Sequence, residues 1–230
     1  MYQVFCVTDK GLKYDHNEDS YLVNDKAFQD TIYETFIKDF VLACVCDGVG
    51  GANKGEVASL FCANEISNNP SYFCSDLKNN ILKINNELIE TYGPNNLCST
   101  LAGVFVSKDK VFIFNVGDSR IYKVSNNIAM QYSVDDSLET EGIKSHTITN
   151  YFGNPYMNNK TIHICESEMN DNDVFFICSD GVSDYSDIEK ILENADFIDL
   201  NKISNIIKDE IYTYGAKDNF TMIFIKKIGE

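Results

Sequence analysis

The sequence predicts an α+β protein in which helices pack against antiparallel β-sheet. Short runs rich in Val, Ile, Phe and Tyr recur along the chain, bounded by Gly, Asn, Asp or Lys, as is typical of strands. Helical periodicity appears in only four places, between these runs. The predicted strands cover residues 3–7, 20–23, 40–46, 100–107, 110–116, 120–124, 128–132, 161–166, 173–178 and 220–226.

Two polar turns indicate that neighbouring strands run antiparallel. Lys108 and Asp109 separate one pair of predicted strands, and Ser-Asn-Asn at 125–127 separates the next pair. Consecutive tight turns of this kind are typical of β-hairpins.

The predicted helices cover residues 56–67, 76–92, 187–194 and 201–214. Segment 76–92 is the most periodic, and its apolar stripe consists of Leu77, Ile81, Ile84, Leu88 and Ile89. One apolar face on each helix indicates packing on a core rather than free exposure.

Length and composition predict one domain covering residues 1–230. The hydrophobic fraction of 44% is typical of a globular protein. A chain of this length buries roughly 70–75% of its unfolded surface without disulfide or zinc staples. We find no Pro- or Ser-rich linker that would divide it.

The charge balance argues against two classes of partner. The chain has 35 acidic and 19 basic residues, for a formal net charge of -16. Such a chain repels nucleic-acid backbones and anionic membranes, so we expect neither as a partner. The carboxylates either form an ordinary solvated surface or, in part, converge on divalent cations.

Cysteine usage predicts a cytoplasmic protein. The 8 cysteines form no C-x-x-C motif, and most lie inside apolar runs, as buried thiols do in a reducing compartment. The first residues lack the pattern of a signal peptide, and no apolar run approaches the ~20 residues that span a bilayer.

Five acidic motifs lie where a predicted strand begins or ends. They are Asn17-Glu18-Asp19, Asp47-Gly48-Val49-Gly50-Gly51, Gly117-Asp118-Ser119-Arg120, Ser179-Asp180-Gly181 and Lys217-Asp218-Asn219. Each motif taken singly predicts only a turn, because Asp-Gly is a common turn dipeptide. Together they are candidates for a metal site, since rigid strand ends can hold carboxylates at fixed separation. The scarcity of His and Cys in them favours Mg²⁺ or Mn²⁺ over zinc.

The ordered motifs resemble those of the metal-dependent Ser/Thr protein phosphatases of type 2C, most closely the small bacterial single-domain members. The matching segments are Thr8-Asp-Lys-Gly11, Asn17-Glu-Asp19, Asp47-Gly-Val-Gly-Gly51, Gly55-Glu-Val-Ala-Ser59, Ser99-Thr100, Asn115-Val-Gly-Asp-Ser-Arg120, Cys178-Ser-Asp-Gly181 and Asp218-Asn-Phe-Thr221. They extend over nearly the whole chain.

The resemblance implies a four-layer α-β-β-α sandwich, in which two antiparallel sheets are flanked by helix pairs. It also implies two Mn²⁺ or Mg²⁺ ions. Asp47 matches the carboxylate that bridges both ions, and the Gly48 carbonyl matches a ligand of one. Asp180 and Asp218 match ligands of the other, so Asp47, Asp180 and Asp218 are the implied catalytic residues.

The resemblance extends to further ligands, the reaction and the partners. Asp118, together with Asp180, matches the site of a weaker third ion, while Glu18 and Asp19 match residues that reach the ions directly or through water. The implied reaction is attack of a metal-bridging hydroxide on phosphoserine or phosphothreonine. The implied partners are phosphorylated proteins, including substrates of a Ser/Thr kinase or the kinase itself, and we expect a monomer.

The chain departs from the family at the phosphate-binding position. Family members usually carry Arg three residues before the first acidic motif, whereas this chain has Tyr14, preceded by Lys13. Tyrosine cannot form a charged bidentate pair with phosphate. Lys13 is the second candidate, although adjacent residues on a strand point to opposite faces. We expect weaker phosphate binding with hydrolysis retained.

Two further departures concern the proton donor and the flap. Val49 and Ala52 occupy the region where family members often carry a catalytic His, which leaves His16 as the best candidate for the proton donor and a metal-bound water as the alternative. Residues 133–154 match a helical flap beside the active site but are shorter and acidic here. We expect a more open cleft; the alternative is an ordinary loop.

Three functional interpretations follow. The leading one is an active phosphoprotein phosphatase. The second is a catalytically weak, metal-binding regulatory module of the same fold, which the missing Arg and His favour. A metal-stabilised structural domain is the third, and it would need only one or two of the aspartates.

Overall fold

The computed structural model describes residues 1–49, 54–108, 110–140 and 143–229. Gly50 and Gly51 of the second acidic motif, Ala52 after it, and Asp109 of the predicted turn lie outside the described residues.

The described residues form fourteen strands and six helices. The strands are β1 (Tyr2–Asp9), β2 (Asp19–Val23), β3 (Lys26–Phe28), β4 (Tyr33–Ile37), β5 (Phe40–Asp47), β6 (Leu101–Ser107), β7 (Lys110–Val116), β8 (Arg120–Ser125), β9 (Ile128–Gln131), β10 (Ser137–Thr140), β11 (Ile143–Ile148), β12 (His163–Glu168), β13 (Val174–Cys178) and β14 (Phe220–Lys227). The helices are α1 (Gly55–Ser67), α2 (Pro70–Ser75), α3 (Leu77–Tyr92), α4 (Asp180–Ser183), α5 (Ile188–Glu193) and α6 (Leu200–Thr213).

In the described part of the chain the strands build two six-stranded antiparallel sheets and one separate hairpin. The first sheet, here the β1 sheet, has the order β4-β1-β14-β13-β8-β9. The second, the β5 sheet, has the order β12-β7-β6-β5-β2-β3. Strands β10 and β11 pair only with each other.

Three hydrophobic clusters of described residues lie between four layers. Along β5, Val41, Ala43 and Val45 face the β1 sheet, whereas Leu42 and Cys44 face α1 and α3. Because successive side chains of a strand point to opposite faces, one apolar run supplies two clusters. The third cluster packs α5 and α6 on the outer face of the β1 sheet. The predicted α-β-β-α sandwich is confirmed.

The predicted strands are all present, with bounds shifted by at most two residues, and the predicted helices by at most one. The turn at 125–127 has left-handed backbone at Asn126 and Asn127, with φ of 52° and 60°, as a type I′ hairpin turn requires. All 8 cysteines are free thiols and most are buried, as expected.

Six short elements were not predicted. Strands β3 and β4 are partly exposed sheet edges without a long apolar run, and α4 is a single turn. Helix α2 carries a recognisable signal, because Asn69 caps it and Pro70 occupies its first position.

The described residues of 133–154 contain no helix, unlike the helical flap of the family members that this segment resembles. That segment contains the β10–β11 hairpin instead, with a register shift between Ser137 and Glu139. Its described parts also include an isolated bridge between Phe152 and Ser99 that fixes the end of the segment.

Among the described helices, none is both long and apolar enough to cross a membrane.

Candidate active site

Asp19 and Asp47 meet where two neighbouring strands of the β5 sheet begin and end. They are direct cross-strand partners of β2 and β5. Thr100 fixes the backbone of Asp47: the Asp47 amide donates to the Thr100 hydroxyl at 3.1 Å, and the Thr100 amide donates to the Asp47 carbonyl at 2.8 Å. The register of the sheet therefore places Asp19 and Asp47 side by side at the same end of the two strands.

Asp180 and Asp218 lie at strand ends of the β1 sheet. Asp180 follows the end of β13, and Asp218 precedes the start of β14. The hydroxyl of Ser179, the residue after β13, connects the two sheets. It accepts a hydrogen bond from the Thr221 amide at 2.9 Å and donates to the buried carboxylate of Asp19 at 2.7 Å. Asp180 follows this serine and starts α4, so the prediction of a simple turn at Ser179-Asp180-Gly181 was wrong.

Asn219 connects the loop of Asp218 to the loop of Glu18. Its side-chain oxygen accepts from the Glu18 amide at 2.8 Å, and its side-chain nitrogen donates to the carbonyls of Lys10 and His16 at 2.8 and 3.1 Å. The Asn219 side chain is 4% exposed, which shields these bonds from water. One amide thereby holds two acidic motifs that are 200 residues apart in the chain.

Asp118 approaches the same region from the end of β7. It is 3% exposed, and the neighbouring Ser119 hydroxyl lies 2.7 Å from the Thr100 hydroxyl that holds Asp47. Gly117 precedes it with φ of +100°. A side chain at Gly117 would be strained and would press against Thr100 at 2.7 Å.

Gly48 shows why the second motif needs glycine beside its carboxylate. A methyl group there would overlap the Gly55 carbonyl at the start of α1 and reach within 2.7 Å of the Glu18 carbonyl. The Gly48 amide donates to that Glu18 carbonyl at 3.1 Å. The close approach leaves the Gly48 carbonyl beside α1, next to the Glu18 carboxylate that the Gly55 amide binds.

The carboxylates repel one another strongly in the metal-free protein. Burial, and then the charges of Asp19, Asp180, Asp118 and Asp218, raise the pKa of Asp47 well above its usual range. Burial, followed by the charges of Asp118 and Asp218, raises the pKa of Asp180 to about 8. Asp47 and Asp180 therefore share Asp19, Asp118 and Asp218 as electrostatic partners.

The pKa values of Glu18 and Asp19 are raised as well. Burial raises the pKa of Asp19 to about 6, against hydrogen bonds from Thr221 and Ser179 that favour its ionised form. Burial, and then the charge of Glu56, raises the pKa of Glu18.

This donor set fits a hard divalent cation. Carboxylates, a backbone carbonyl and water are the ligands that suit Mg²⁺ and Mn²⁺, and a cation would relieve the mutual repulsion. Within the described residues, no three His, Cys, Asp or Glu side chains form a ready ligand group for one ion. An ion such as Mg²⁺ needs no such group, because it usually takes one or two carboxylates and keeps several waters.

Lys13 and Tyr14 lie in the turn after β1, so the strand alternation expected to separate them does not apply. The Lys13 ammonium donates to the Tyr14 hydroxyl at 2.6 Å and lies 4.4 Å from the centre of its ring. That hydrogen bond, and more weakly the charges of Asp218 and Tyr185, raise the pKa of Lys13. The pair therefore lies at the Asp218 side of the site.

Among the described side chains, Arg120 and His163 are bound elsewhere and do not replace the missing family residues. The one arginine of the sequence, Arg120, is bound to Asp135 at 2.8 Å. His163 is bound to Asp136 at 2.7 Å. His16 is exposed and adjoins the site through the hydrogen bond of its carbonyl to Asn219.

A groove of about 660 Å³ between α5 and α6 contains none of these carboxylates. Ile191, Ile203 and Ile206 line it together with charged residues of both signs. The acidic site offers defined chemistry, whereas this groove offers only shape, so the functional assignment follows the carboxylates.

Sequence reasoning did not single out the uncharged residues that hold the carboxylates. Ser179 and Asn219 belong to two of the acidic motifs, and Thr100 belongs to a matching segment. Their adjacency was the available signal, but only the paired strands show which atoms they bind.

Comparison with known proteins agrees with this geometry. The profile of the family described as protein phosphatase 2C matches residues 19–207. Serine/threonine phosphatase stp of Listeria welshimeri is 24% identical over 248 residues, which cover 96% of this chain and 94% of the relative. Probable protein phosphatase 2C 11 of Arabidopsis thaliana is 28% identical over 246 residues, covering 90% of this chain and 65% of the relative.

Solved structures share the fold. Serine/threonine phosphatase Stp1 from Staphylococcus aureus superposes with a TM-score of 0.81 at 24% identity, covering 100% of this chain and 96% of that one. The phosphatase PstP/Ppp of Mycobacterium tuberculosis gives a TM-score of 0.76 at 18% identity, covering 100% of both chains. Members of the matched family are generally metal-dependent. With a family profile over most of its length and the same four-layer fold, this chain belongs to the protein phosphatase 2C family and is a protein phosphatase.

Proposed function

We propose that the chain hydrolyses phosphoserine and phosphothreonine in proteins with the help of two Mn²⁺ or Mg²⁺ ions. The observation that supports this proposal is that the charges of Asp19, Asp118, Asp180 and Asp218, which lie at strand ends of both sheets, all act on the buried carboxyl of Asp47 and raise its pKa. Burying that many like charges at one edge of a sandwich is costly unless a cation is bound. A purely structural domain would have no reason to bear this cost.

Asp47 is the central ligand of the proposed site. Thr100 holds the Asp47 backbone through both its amide and its carbonyl, so the Asp47 carboxylate would be a fixed ligand when ions bind. The Gly48 carbonyl serves one ion, and Asp180 and Asp218 serve the other. These ligands come from both sheets, so the site depends on the sandwich being closed.

The remaining acidic residues complete the proposed site. Asp118, together with Asp180, holds a weaker third ion. Glu18 and Asp19 act directly or through water, and the Ser179 hydroxyl fixes the Asp19 carboxylate toward the site.

When bound, such ions would supply a hydroxide nucleophile near neutral pH. The chain's own groups position the phosphate and balance its charge. Lys13 supplies a cation at the Asp218 side, and Tyr14 a hydroxyl at the position where the family usually carries arginine. Because a lone ammonium binds phosphate as a point charge, we expect this grip to be weaker than a bidentate one.

The proposed substrates are phosphorylated proteins, including a Ser/Thr kinase or its substrates. We further propose that residues 1–230 act as one phosphatase domain, as a monomer, in the cytoplasm. The thiol state of all 8 cysteines supports a reducing compartment.

The decisive experiment is hydrolysis of p-nitrophenyl phosphate with Mn²⁺, with Mg²⁺ and with chelator. We expect activity only with metal, and a loss of at least about 100-fold in Asp47→Asn, because a shared ligand serves both ions. The matched control is Asp173→Asn, another buried aspartate, which is paired with Lys123 at 3.1 Å and directly precedes β13, at the end of that strand opposite to Asp180. Activity that persists in chelator or in Asp47→Asn contradicts the proposal.

The alternative is a catalytically weak regulatory module that binds metal. It is favoured by one observation: the only arginine is engaged with Asp135. Mn²⁺ binding without turnover of phosphoserine or phosphothreonine peptides would support it over the enzyme.

A further inference from the structure

We propose that Asp9 is a positioning residue for phosphate binding, because it fixes the turn that presents Lys13 and Tyr14 to the site. The inference rests on the proposed function, since Lys13 and Tyr14 meet phosphate only there. It also extends the machinery to helix α6, which the proposed mechanism does not use.

The Asp9 carboxylate, at the end of β1, accepts hydrogen bonds from the following turn and from α6. Its Oδ1 accepts from the Gly11 amide at 3.0 Å, which tightens the turn directly after the strand. Its Oδ2 accepts from the Lys208 ammonium at 3.1 Å, and the Tyr212 hydroxyl donates to the two oxygens at 3.3 and 3.2 Å. One carboxylate therefore connects the turn to the helix.

Both α6 donors pack on the strand residue beside Asp9. Asp9 and Phe220 are direct cross-strand partners of β1 and β14. The Tyr212 ring meets the Phe220 ring edge-on with 6.0 Å between centres, and Lys208 Nζ lies 5.9 Å from the centre of the same ring. Because Phe220 is fully buried, its ring gives both donors a fixed surface to pack on.

The turn after Asp9 lies close against the backbone that carries Asp218. Gly11 has φ of +68°, and a methyl group on it would lie 2.3 Å from the Asp218 carbonyl oxygen and 2.7 Å from that of Ala216. The Leu12 amide donates to the Ala216 carbonyl at 2.9 Å. The direction in which the chain leaves Gly11 is therefore fixed relative to Asp218.

Lys13 and Tyr14 depend on this backbone because little packs around their side chains. Leu12 before them is 68% exposed, Lys13 is exposed as well, and Tyr14 is only partly buried. The hydrogen bond from the Lys13 ammonium to the Tyr14 hydroxyl links the two side chains to each other. Their position at the Asp218 side of the site is therefore set by the turn.

Asp9 differs from Asn219, which holds the same turn through the Lys10 and His16 carbonyls. Asn219 also accepts from the Glu18 amide, so it acts on the proposed metal ligands as well. Among the described residues, the side-chain bonds of Asp9 go to the turn and to α6. We therefore expect loss of Asp9 to weaken phosphate binding and to leave Mn²⁺ binding unchanged.

The test separates KM from kcat for p-nitrophenyl phosphate in the Mn²⁺-loaded protein. Asp9→Ala should raise KM about 3- to 10-fold, the size of effect expected from one or two lost hydrogen bonds. The value of kcat should change by less than about twofold, as it does when uniform binding is lost. Calorimetry should show a matching loss of affinity for inorganic phosphate and an unchanged affinity for Mn²⁺ alone.

Milder variants on α6 keep the test decisive if Asp9→Ala does not fold. Tyr212→Phe keeps the ring against Phe220 and removes only the hydroxyl, while Lys208→Met removes the ammonium. Each should raise KM by a smaller factor than Asp9→Ala does. Lys202→Met, which changes another α6 lysine that lines the groove between α5 and α6, is the matched control and should leave KM unchanged.

A double variant shows whether Asp9 acts through Lys13. Lys13→Ala by itself should raise KM, because the cation is gone. Adding Asp9→Ala to it should then raise KM by less than about twofold, since the effects of residues that act as a unit do not add.

Four outcomes would overturn the inference. They are an unchanged KM in Asp9→Ala and Lys208→Met, an equal rise in Lys202→Met, an unchanged KM in Lys13→Ala, and a loss of Mn²⁺ affinity that accompanies the rise in KM. Absence of Mn²⁺-dependent turnover in the wild type would instead overturn the proposed function.

Discussion

Single uncharged residues hold together a group of carboxylates that repel one another. The Ser179 hydroxyl donates a hydrogen bond to Asp19 and accepts one from the backbone of β14. Asn219 binds the loop between β1 and β2. Such groups do not ligate metal in the proposed site, yet they fix the ligands before metal arrives. Their loss should therefore alter metal binding more than folding.

Replacement of Ser179 tests this role. Ser179→Ala removes the hydrogen bond from this hydroxyl to Asp19. We therefore expect kcat/KM for p-nitrophenyl phosphate to fall about 10- to 100-fold, and the Mn²⁺ concentration needed for half-maximal activity to rise. Ser183→Ala is the matched control, because the buried Ser183 hydroxyl has no hydrogen-bond partner among the described atoms. Equal activity in Ser179→Ala and Ser183→Ala would contradict the role.

Replacement of Tyr14 tests the phosphate-binding position. Tyr14→Arg should lower KM for a small aryl phosphate, because a guanidinium can bind two phosphate oxygens at once. Tyr14→Phe serves as control: it releases the Lys13 ammonium from the hydroxyl at 2.6 Å without adding charge. An unchanged or higher KM in Tyr14→Arg would show that this position does not face the phosphate.

At the scale of elements, the site depends on neighbouring backbone segments that approach each other so closely that only glycine fits between them. The start of α4 lies against the loop before β14, and a methyl group on Gly181 would overlap the Asn219 carbonyl. The motif that seemed to predict only a turn is therefore a helix start that must touch a neighbouring loop. Its glycine is required by packing, since Gly181 has no left-handed φ.

Gly181→Ala should separate α4 from the Asp218 loop. We expect the free energy of unfolding to fall by about 1–3 kcal/mol, as overpacking usually causes, and metal-dependent activity to be lost because Asp180 and Asp218 move apart. Urea unfolding and p-nitrophenyl phosphate hydrolysis measure the two effects. Gly229→Ala should change neither, since its nearest neighbour is an Asp171 side-chain oxygen at 3.4 Å.

At the scale of the whole molecule, the acidity has one functional part and one ordinary part. A few carboxylates meet at one edge of the sandwich, while most of the 35 acidic residues lie elsewhere. The functional part has raised pKa values because its charges are buried together. The global charge by itself says little about mechanism.

This arrangement predicts an unusual pH dependence for the metal-free protein. Asp19 and Asp180 have pKa values of about 6 and about 8 in the folded chain, above the ordinary value near 4 of an unfolded aspartate. Between pH 4 and 8 the folded state holds more protons, so the free energy of unfolding in chelator should fall as pH rises. Saturating Mn²⁺ should reverse the trend by neutralising the site.

Thermal unfolding in chelator at pH 5 and pH 8 measures this effect. Asp180→Asn is the matched variant: it removes one titrating group, so its melting temperature should depend less on pH. A metal-free protein that becomes more stable from pH 5 to pH 8 would contradict the assignment of buried, repelling carboxylates.

The sequence alone determined the elements with long apolar patterns and the residues that carry the chemistry. The run before Asp47 is apolar at every position because both its faces are buried, so it was recognised as a strand without knowledge of its partners. The edge strands β3 and β4 lack such runs, because their side chains are only partly buried. Segment 133–154 lacks such a run as well.

Only the tertiary structure decided which residues act together. The pairing of Asp19 with Asp47, the Ser179 bond between the sheets, and the Asp136 bonds to Gly117 and Asn150 all join segments distant in the chain. The spacing of apolar residues within a segment indicates which of its faces is buried, and this can be read from that segment alone. Proximity between segments depends on sheet register and layer packing, which the whole fold sets.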